Sequence, residues 1–305
     1  MIKALFQETI ILLFRPLIVR EVPSWGKIYQ TFVGDRTRNW FWQDAKKKVI
    51  KGKLHPFLME LDLSKASERS TFFLSRWYDI PVQQLIEQTL NKGDEVLDIG
   101  ANIGMFSLMA SHVVGSEGII HAVEPNPEAR QGLNHNIGLN HIDNIKVYPF
   151  GLGESEKKAN LYVPDNNSEE GSLARVDNTS NGGDVIPVDI KVGDEVLQKI
   201  APRLIKIDVE GSEVEVMRGL SQLIDSHLPL IIAEYSPTYL HSLGHSFDDF
   251  LAIAKEHSYR LFKVGLTKGA DEYNLVLTPI EDADINGPCD ILLGHGDDPY
   301  IQKIQ

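Results

Sequence analysis

The fold of this chain is decided by the stretch Glu95-Val-Leu-Asp-Ile-Gly-Ala-Asn-Ile-Gly104. The apolar residues before Gly100 predict a short strand, and the two glycines predict a tight turn that opens a helix over residues 105–114. A turn of this kind exposes backbone N–H groups at a helix N-terminus, where a ligand can approach the chain closely. The stretch therefore predicts a ligand site as well as a strand and a helix.

A second strand, Ile119–Val123, is predicted after that helix and ends at Glu124. An acidic side chain at this position of a βαβ unit accepts hydrogen bonds from ribose hydroxyls, so the two turns predict a site for a nucleoside-bearing cofactor. The candidate cofactor-binding residues are Asp98, Gly100, Ala101, Asn102, Gly104, Glu124, Pro125 and Asn126. The alternative is a plain strand–turn–helix in which the two asparagines only cap helices.

The form of the glycine turn indicates which cofactor is bound. The dinucleotide fingerprint is G-x-G-x-x-G, whereas here Gly100 and Gly104 are separated by three residues and Asp98 occupies the first position. A carboxylate at that position would repel a pyrophosphate and would favour a positively charged ligand. Because S-adenosylmethionine carries a sulfonium and an α-amino group and no phosphate, the turn favours it over NAD.

Composition excludes several classes of protein. A chain of 305 residues can hold one large α/β domain and an appendage. Its net charge of −13 argues against phosphate binding over the whole surface, so no nucleic-acid partner is expected. The single Cys289 excludes an internal disulfide and a cysteine zinc cluster, and it favours a reducing, cytoplasmic compartment.

The apolar residues within positions 1–80 show no regular helical or strand periodicity. This region is predicted to be a partly helical N-terminal extension that caps the active site. Their apolar segment, residues 4–19, is interrupted by Arg15 and Pro16, well short of the ~20 residues that span a bilayer. It predicts a core helix or a helix docked on a partner. The alternative is peripheral membrane contact through residues 1–20.

Strands and helices alternate from residue 81 onward. Further strands are predicted at 145–150, 203–208, 230–234 and 260–264, and further helices at 127–140, 212–225 and 247–257. Segments 274–277 and 290–293 compete as the last strand, and the second is favoured, with the first as a hairpin insertion. Residues 165–172 and 178–184 are polar loops beside short strands. The pattern predicts an α/β domain over residues 81–296, with a mostly parallel sheet covered by helices on both faces, and a tail over 297–305.

Three blocks of this sequence resemble the FkbM family of S-adenosylmethionine-dependent methyltransferases. They are Asp98-Ile-Gly-Ala-Asn-Ile-Gly104, Val123-Glu-Pro-Asn-Pro127 and Leu204-Ile-Lys-Ile-Asp-Val-Glu-Gly-Ser-Glu213, of which the third is the most diagnostic. The resemblance covers roughly residues 80–265. It implies a class I methyltransferase with a Rossmann-like sheet that methylates hydroxyl oxygens of polyketides, sugars or related small molecules. Because acceptors vary within the family, the resemblance does not identify the acceptor of this protein.

A hydroxyl acceptor has to lose a proton, and a carboxylate within hydrogen-bond reach would serve as the general base. Asp208 follows the fourth strand and is the first candidate, with Glu210 and Glu234 as further catalytic candidates. The alternative for Asp208 and Glu210 is to hold Mg²⁺ or Ca²⁺, which prefer oxygen ligands. Glu210 also lies where a carboxylate stabilises a helix N-terminus without any catalytic role.

The sequence therefore predicts an S-adenosylmethionine-dependent O-methyltransferase whose acceptor is a hydroxyl on a small molecule or glycan. The alternative from another class is a methyltransferase fold that binds cofactor or a partner without turnover. Turnover that depends on Asp208 would separate the two, because cofactor binding is expected in both.

Overall fold

The computed structural model describes residues 2–20, 25–34, 38–52, 56–75, 79–164, 171–173, 183–268, 273–280, 285 and 287–304. The helices are α1 (Ile2–Ile18), α2 (Trp25–Phe32), α3 (Asn39–Trp42), α4 (Ala66–Leu74), α5 (Ile80–Thr89), α6 (Met105–Val114), α7 (Pro127–Leu139), α8 (Gly193–Val196), α9 (Glu213–Arg218), α10 (Ser221–His227), α11 (Pro237–Ser242), α12 (Phe247–Glu256) and α13 (Pro299–Lys303). The strands are β1 (Lys48–Lys51), β2 (Leu58–Leu61), β3 (Glu95–Ile99), β4 (Ile119–Val123), β5 (Ile145–Tyr148), β6 (Gly151–Gly153), β7 (Lys157–Pro164), β8 (Gly183–Val192), β9 (Leu204–Ile207), β10 (Leu230–Tyr235), β11 (Tyr259–Lys268), β12 (Tyr273–Pro279) and β13 (Cys289–His295).

The central sheet has eight strands in the order β12-β11-β13-β10-β9-β3-β4-β5. Strands β10, β9, β3, β4 and β5 pair in parallel, while β13 runs antiparallel between β10 and β11. Successive residues of β9 belong to apolar clusters on opposite faces of the sheet. Leu204 packs with α5 and α6, and Ile205 packs with α9, α10 and α12. Helices therefore cover both faces of a mostly parallel sheet, and the predicted fold class is confirmed.

Local capping signals set where several helices begin. Asn126 caps α7 by accepting a hydrogen bond from the Glu128 N–H at 3.0 Å, and Pro127 fills the first helical position, where no N–H partner is needed. Helix α12 starts with a capping box in which Ser246 and Asp249 bond each other's backbone. These signals are local in sequence, which is why the predicted helix starts agree closely with the structure.

Both candidates for the last strand are strands. Segment 273–279 forms a hairpin with β11 at the edge of the sheet, and β13 inserts between β10 and β11. This arrangement agrees with the preference for residues 290–293 as the last strand and for a hairpin before it. The insertion also pairs Glu234 with Asp290 across β10 and β13, which brings a second carboxylate to the same edge.

Three predictions for the α/β domain and the tail differ from the structure. The single helix expected at 212–225 is divided into α9 and α10, because the chain at Gly219 passes so close to Gly153 that a Cβ would meet its carbonyl oxygen. Residues 151–192 hold a separate three-stranded sheet, β6-β8-β7, rather than loops around isolated strands. The polar loop residues 165–170 and 178–182 lie outside the described residues.

The third difference is at the end of the chain, where the expected tail forms a helix. Ile301 of α13 is fully buried in the core, and Asp298 caps the helix and pairs with Arg203. An apolar side chain at the centre of a short capped helix is enough to hold this segment on the domain.

The N-terminal extension packs onto the α/β domain through its own small core. The Trp25 indole donates to the Phe73 carbonyl at 2.7 Å. The backbone N–H groups of Leu58 and Glu60 donate to Asn140, the C-cap of α7, at 2.7 Å and to Asn136 within α7 at 2.9 Å. The apolar cluster of the extension is continuous with the cluster under α5 and α6. The extension is thereby fixed relative to the sheet.

Helix α1 packs on the core through one side only, so it is not a fully buried core helix, and docking on a partner or a membrane stays a prediction. Only Gln7 and Ile18 of its 17 residues are buried, although it packs through Phe14 against the Trp25 ring at a centroid distance of 5.3 Å. Across the part of the chain that the structure describes, no helix combines the length and the apolar character needed to cross a bilayer.

Candidate functional site

A cavity of about 530 Å³ lies beyond the carboxyl ends of β3, β4, β9 and β10. This is the edge at which ligands bind in open α/β sheets, and the volume is within the range of small-molecule sites. Predicted site residues on its wall are Gly100, Ala101, Asn102, Glu124, Pro125, Asn126, Asp208, Glu210 and Glu234. The structure thus brings together nine of the eleven residues singled out from the sequence.

Gly100 allows two strand ends to approach each other beneath the cavity. Its φ is +82°, and a Cβ at this position would lie 1.8 Å from the carbonyl oxygen of Asp208. Glycine therefore meets two requirements here, a left-handed backbone and the absence of a side chain. Gly104, at φ +93°, precedes α6 and faces Leu133, outside the cavity wall.

Glu124 is held by the turn that follows β3. Its carboxylate accepts the backbone N–H of Asn102 at 2.8 Å and that of Asn126 at 2.7 Å. Burial raises the pKa of Glu124 to about 7 despite these two bonds. A carboxylate offers about four acceptor positions, so lone pairs remain for the two hydroxyls of a ribose.

Asn102 and Asp98 each have a buried side-chain oxygen that no described residue hydrogen-bonds. Asn102 has a left-handed backbone, with φ +49°, and lines the cavity. Asp98 lies below it: its other carboxylate oxygen accepts the Ser107 hydroxyl at 2.6 Å, and burial raises its pKa. Asp98 is on the strand two residues before the turn, so its side chain faces α6 and does not contribute to the wall.

Lys206 lies beneath the catalytic candidates and was not among the predicted site residues. Its Nζ is 2.9 Å from Oδ2 of Asp208 and 4.4 Å from the centre of the Phe106 ring. Burial lowers the pKa of Lys206, but the charges of Asp208, Asp98 and Asp79 outweigh it, and the net shift is upward. Lys206 is therefore a fixed positive charge at the floor of the site.

Asp208 and Glu234 have opposite protonation preferences. Burial acts to raise the pKa of Asp208, but the charge of Lys206 and the hydrogen bonds from Lys206 and Glu234 lower it below its usual value. The charge of Asp208, followed by burial, raises the pKa of Glu234 to about 10. Near neutral pH, Asp208 is therefore an ionised acceptor and Glu234 is a protonated donor to it.

Glu210 completes a group of three carboxylates. One ligand atom from each of Asp208, Glu210 and Glu234 lies within 4.8 Å of the others. Oxygen donors of this kind are suitable for Mg²⁺ or Ca²⁺ in chemical type and number. Lys206 and the proton on Glu234 offset part of the negative charge of this cluster.

A second cavity of about 330 Å³ lies beside the first and shares Lys206, Asp208 and Glu234 with it. Asp79, at the start of α5, and Asp290 of β13 add two more carboxylates. Burial raises the pKa of Asp79 to about 6 and that of Asp290 well above its usual value. Sequence reasoning missed both, although the pairing of β13 with β10 would have placed Asp290 opposite Glu234.

Two further segments complete the cavity wall. The N-terminal extension contributes Tyr29, Gln30, Ala66, Ser67 and Ser70. The three-stranded sheet and the residues next to it contribute Leu161, Gly171, Leu173 and Ile190. The residues from the extension bring hydroxyl and amide groups to the wall, and those from the sheet are apolar.

Comparison with known proteins identifies the family. A sequence profile of the methyltransferase FkbM domain matches residues 98–261. Methyltransferase 1 of Beauveria bassiana is 26% identical over 155 residues, covering 45% of this chain and 61% of that protein. Methyltransferase sdnD of Sordaria araneosa is 30% identical over 163 residues, covering 42% and 60%. Hexuronic acid methyltransferase AglP of Haloferax volcanii is 27% identical over 152 residues, covering 48% and 57%. The chain thus spans about three fifths of the length of these curated relatives.

Among solved structures, methyltransferase FkbM from Methylobacillus flagellatus KT is 17% identical, with a TM-score of 0.39 over 73% of this chain and 52% of that one. Precorrin-6y C5,15-methyltransferase from Geobacter metallireducens GS-15 is 14% identical, with a TM-score of 0.41 over 72% and 88%. The family profile covers more than half of this chain and includes the glycine turn, Glu124 and Asp208. The protein therefore belongs to the FkbM methyltransferase family.

Proposed function

We propose that this protein transfers a methyl group from S-adenosylmethionine to a hydroxyl oxygen of a small molecule or glycan. The observation that carries the proposal is the Lys206–Asp208 ion pair, with Nζ 2.9 Å from Oδ2, in the same cavity as the glycine turn and Glu124. S-adenosylmethionine supplies a methyl group on a positively charged sulfur. The protein then has to hold the cofactor, align the acceptor and accept one proton.

Each of these tasks has a candidate residue. Glu124 accepts the ribose hydroxyls, and the turn at Gly100 leaves room for the cofactor against the strand ends. Asp208 accepts the acceptor's hydroxyl proton as the oxygen forms its bond to the methyl carbon and the bond from that carbon to sulfur breaks. Positioning of the two reactants is worth ~7–11 kcal/mol in favourable cases, and proton removal adds ~10²–10⁴-fold.

The charge of the cavity bears on the class of acceptor. Among the described residues of its wall, the acidic and basic side chains are Glu124, Asp208, Glu210, Glu234 and Lys206, and Glu234 is protonated near neutral pH. An acceptor with its own carboxylate would be repelled by this group, whereas a neutral or amine-bearing hydroxyl compound would not. We therefore propose a neutral or cationic acceptor, although the relative AglP is named for hexuronic acid.

The proposal is tested in two steps with purified protein. Calorimetric titration with S-adenosylhomocysteine measures cofactor binding, and transfer of label from methyl-labelled S-adenosylmethionine measures turnover on matched neutral hexoses, amino sugars and uronic acids. The Asp208→Asn variant is expected to bind S-adenosylhomocysteine like the wild type and to lose at least ~100-fold in turnover. Asp189→Asn, on the exposed side of β8, is the matched control and should retain both properties.

Three results would contradict the proposal in different ways. If the wild type does not bind S-adenosylhomocysteine, the cofactor assignment is wrong. Binding without turnover on any hydroxyl compound would support the alternative of a non-catalytic binding protein on a methyltransferase fold. A preference for uronic acids over neutral hexoses would leave the reaction intact and overturn only the acceptor's charge class.

A further inference from the structure

The charges of this chain are divided very unevenly along its length. Residues 1–53 contain eleven Lys and Arg against four Asp and Glu, a net charge of +7. The other 252 residues contain nineteen against thirty-nine, a net charge of −20. The N-terminal extension is therefore a basic region on an acidic protein, which is a sequence signature of contact with an anionic surface.

Helix α1, at the start of this region, is apolar on both sides. Its inner side packs Ile10, Ile11, Phe14, Leu17 and Ile18 against the core. Its outer side carries Ile2, Leu5, Phe6, Leu12 and Leu13, and Val19 follows directly after the helix; each is between 57% and 71% exposed. At 100° per residue these six side chains share one face, which no described residue of the protein covers.

The same N-terminal region carries exposed aromatic and basic residues outside this apolar face. Phe32, at the end of α2, is 59% exposed, and its ring centre is 6.1 Å from that of Phe14. Trp40 of α3 is 69% exposed. Exposed basic side chains of the same region are Arg15, Lys27, Lys46 and Lys47. Aromatic rings and long basic side chains are the groups that settle at the boundary between lipid headgroups and acyl chains.

We propose that the outer face of α1, with Phe32 and Trp40, docks this protein on the surface of an anionic lipid bilayer. The helix lies in the plane of the headgroups, because its 17 residues extend only ~25 Å and its inner side remains packed on the protein. Insertion of the apolar face supplies the hydrophobic part of the binding energy. The basic residues supply attraction to anionic headgroups.

Charge distinguishes a bilayer from a second copy of the chain as the occupant. Two copies that met through α1 would bring two regions of net charge +7 together, and their repulsion would oppose the gain from apolar burial. An anionic bilayer would bury the apolar face and attract the basic side chains at the same time.

The test is sedimentation of the full chain with vesicles of phosphatidylcholine alone and of phosphatidylcholine mixed with phosphatidylglycerol. The wild type is expected to bind the mixed vesicles more tightly, and raised salt should weaken that binding. The double variant Leu12→Glu, Leu13→Glu should lose at least ~10-fold in affinity, because it removes two inserted side chains and adds two negative charges. Since both positions are exposed, circular dichroism should show an intact fold.

The matched control is Val185→Glu with Val196→Glu, which places the same charges at exposed apolar positions of β8 and α8. It should bind vesicles nearly as the wild type does. Equal binding by the α1 variant, or no binding of the wild type to anionic vesicles, would overturn the proposal. A dimer in sedimentation equilibrium that the α1 variant abolishes, without vesicle binding, would identify a second copy as the occupant and would also overturn it.

Discussion

Lys206 and Asp208 form an ion pair at the carboxyl end of β9, with Nζ of the lysine 2.9 Å from Oδ2 of the aspartate. They are two positions apart, so a strand places both side chains on the same side of the sheet. The pair is therefore built by local geometry, and it acts on the pKa values of Asp208 and Glu234. Lys206 keeps Asp208 ionised, and the charge of Asp208 keeps the proton on Glu234.

Replacement of Lys206 tests this dependence. In Lys206→Met, burial of Asp208 is no longer opposed by a positive charge, so the pKa of Asp208 should rise. The base form would then be present only at higher pH, and the acid limb of the pH–rate profile should move upward, with kcat/KM reduced at least ~100-fold near neutral pH. Lys157→Met, at a pair with Glu215 on the surface, is the control. An unshifted acid limb would contradict the role given to Lys206.

Glu234→Gln distinguishes a proton donor from a second base. Because Glu234 holds a proton near neutral pH, the glutamine amide can donate to Asp208 in its place, and kcat should remain within ~3-fold of the wild type. Glu234→Ala removes the donor and should lower kcat clearly. Steady-state kinetics at neutral pH measures both variants, and a loss of more than ~100-fold in Glu234→Gln would mean that the ionised form of Glu234 is the base.

Gly100→Ala should disrupt the glycine turn after β3. The added Cβ would lie 1.8 Å from the Asp208 carbonyl oxygen, at a φ of +82° that alanine rarely adopts. We expect the affinity for S-adenosylhomocysteine to fall at least ~10-fold, together with a lower melting temperature. Gly138→Ala in α7 is the control, since a Cβ there meets nothing within 4 Å. Unchanged affinity in Gly100→Ala would show that the turn does not contact the cofactor.

The raised pKa of Glu213 should make the free energy of unfolding depend on pH. Its carboxylate accepts the Gly211 N–H at 3.0 Å, its other oxygen is buried without a hydrogen-bond partner, and burial raises its pKa from 4.5 to about 7. The folded state therefore keeps a proton that the unfolded state releases in this window, so the free energy of unfolding falls as pH rises from about 4.5 to about 7. Glu213→Gln should remove up to ~3 kcal/mol of that fall.

Urea unfolding at several pH values measures this effect. Glu195→Gln, at an exposed position of α8, is the control and should follow the wild type. If Glu213→Gln has the same pH slope as the wild type, Glu213 is ionised in the folded protein throughout the range.

Removal of divalent cations tests the carboxylate cluster. Since Lys206 and the proton on Glu234 offset part of its charge, we expect turnover in EDTA to stay within ~2-fold of turnover with added Mg²⁺. The measurement is methyl transfer after dialysis against EDTA, with and without Mg²⁺. Loss of turnover that Mg²⁺ restores would instead assign Asp208, Glu210 and Glu234 as cation ligands.

The sequence predicted what depends on local signals. The strand, turn and helix from Glu95 to Val114 were predicted with their observed bounds, because apolar alternation and glycines act over a few residues. The position of Asp208 beside the glycine turn followed from the rule that the carboxyl ends of parallel strands lie at one edge of the sheet. Residues 290–293 were predicted as the last strand, and the observed strand extends from Cys289 to His295.

What the sequence did not disclose depends on contacts between distant segments. Asp79 and Asp290 meet at the second cavity from opposite ends of the domain, and no local pattern in either segment points to the other. The break at Gly219 arises from its contact with Gly153, and the exposure of α1 depends on which of its two apolar sides the core occupies. Because both sides of α1 are apolar, its amino-acid composition does not show which side is buried.

The cavity described above is assembled from separate lengths of chain. The turns after β3 and β4 form one side, while α2, α4 and the β6-β8-β7 sheet form the other. Mutations in the second group can reshape the space facing Asp208 without altering the backbone that carries Gly100 and Glu124. Natural selection can thus change the preferred acceptor while methyl donation is inherited intact, and exchange of residues 151–192 between homologues would be a direct route to enzymes with new acceptors.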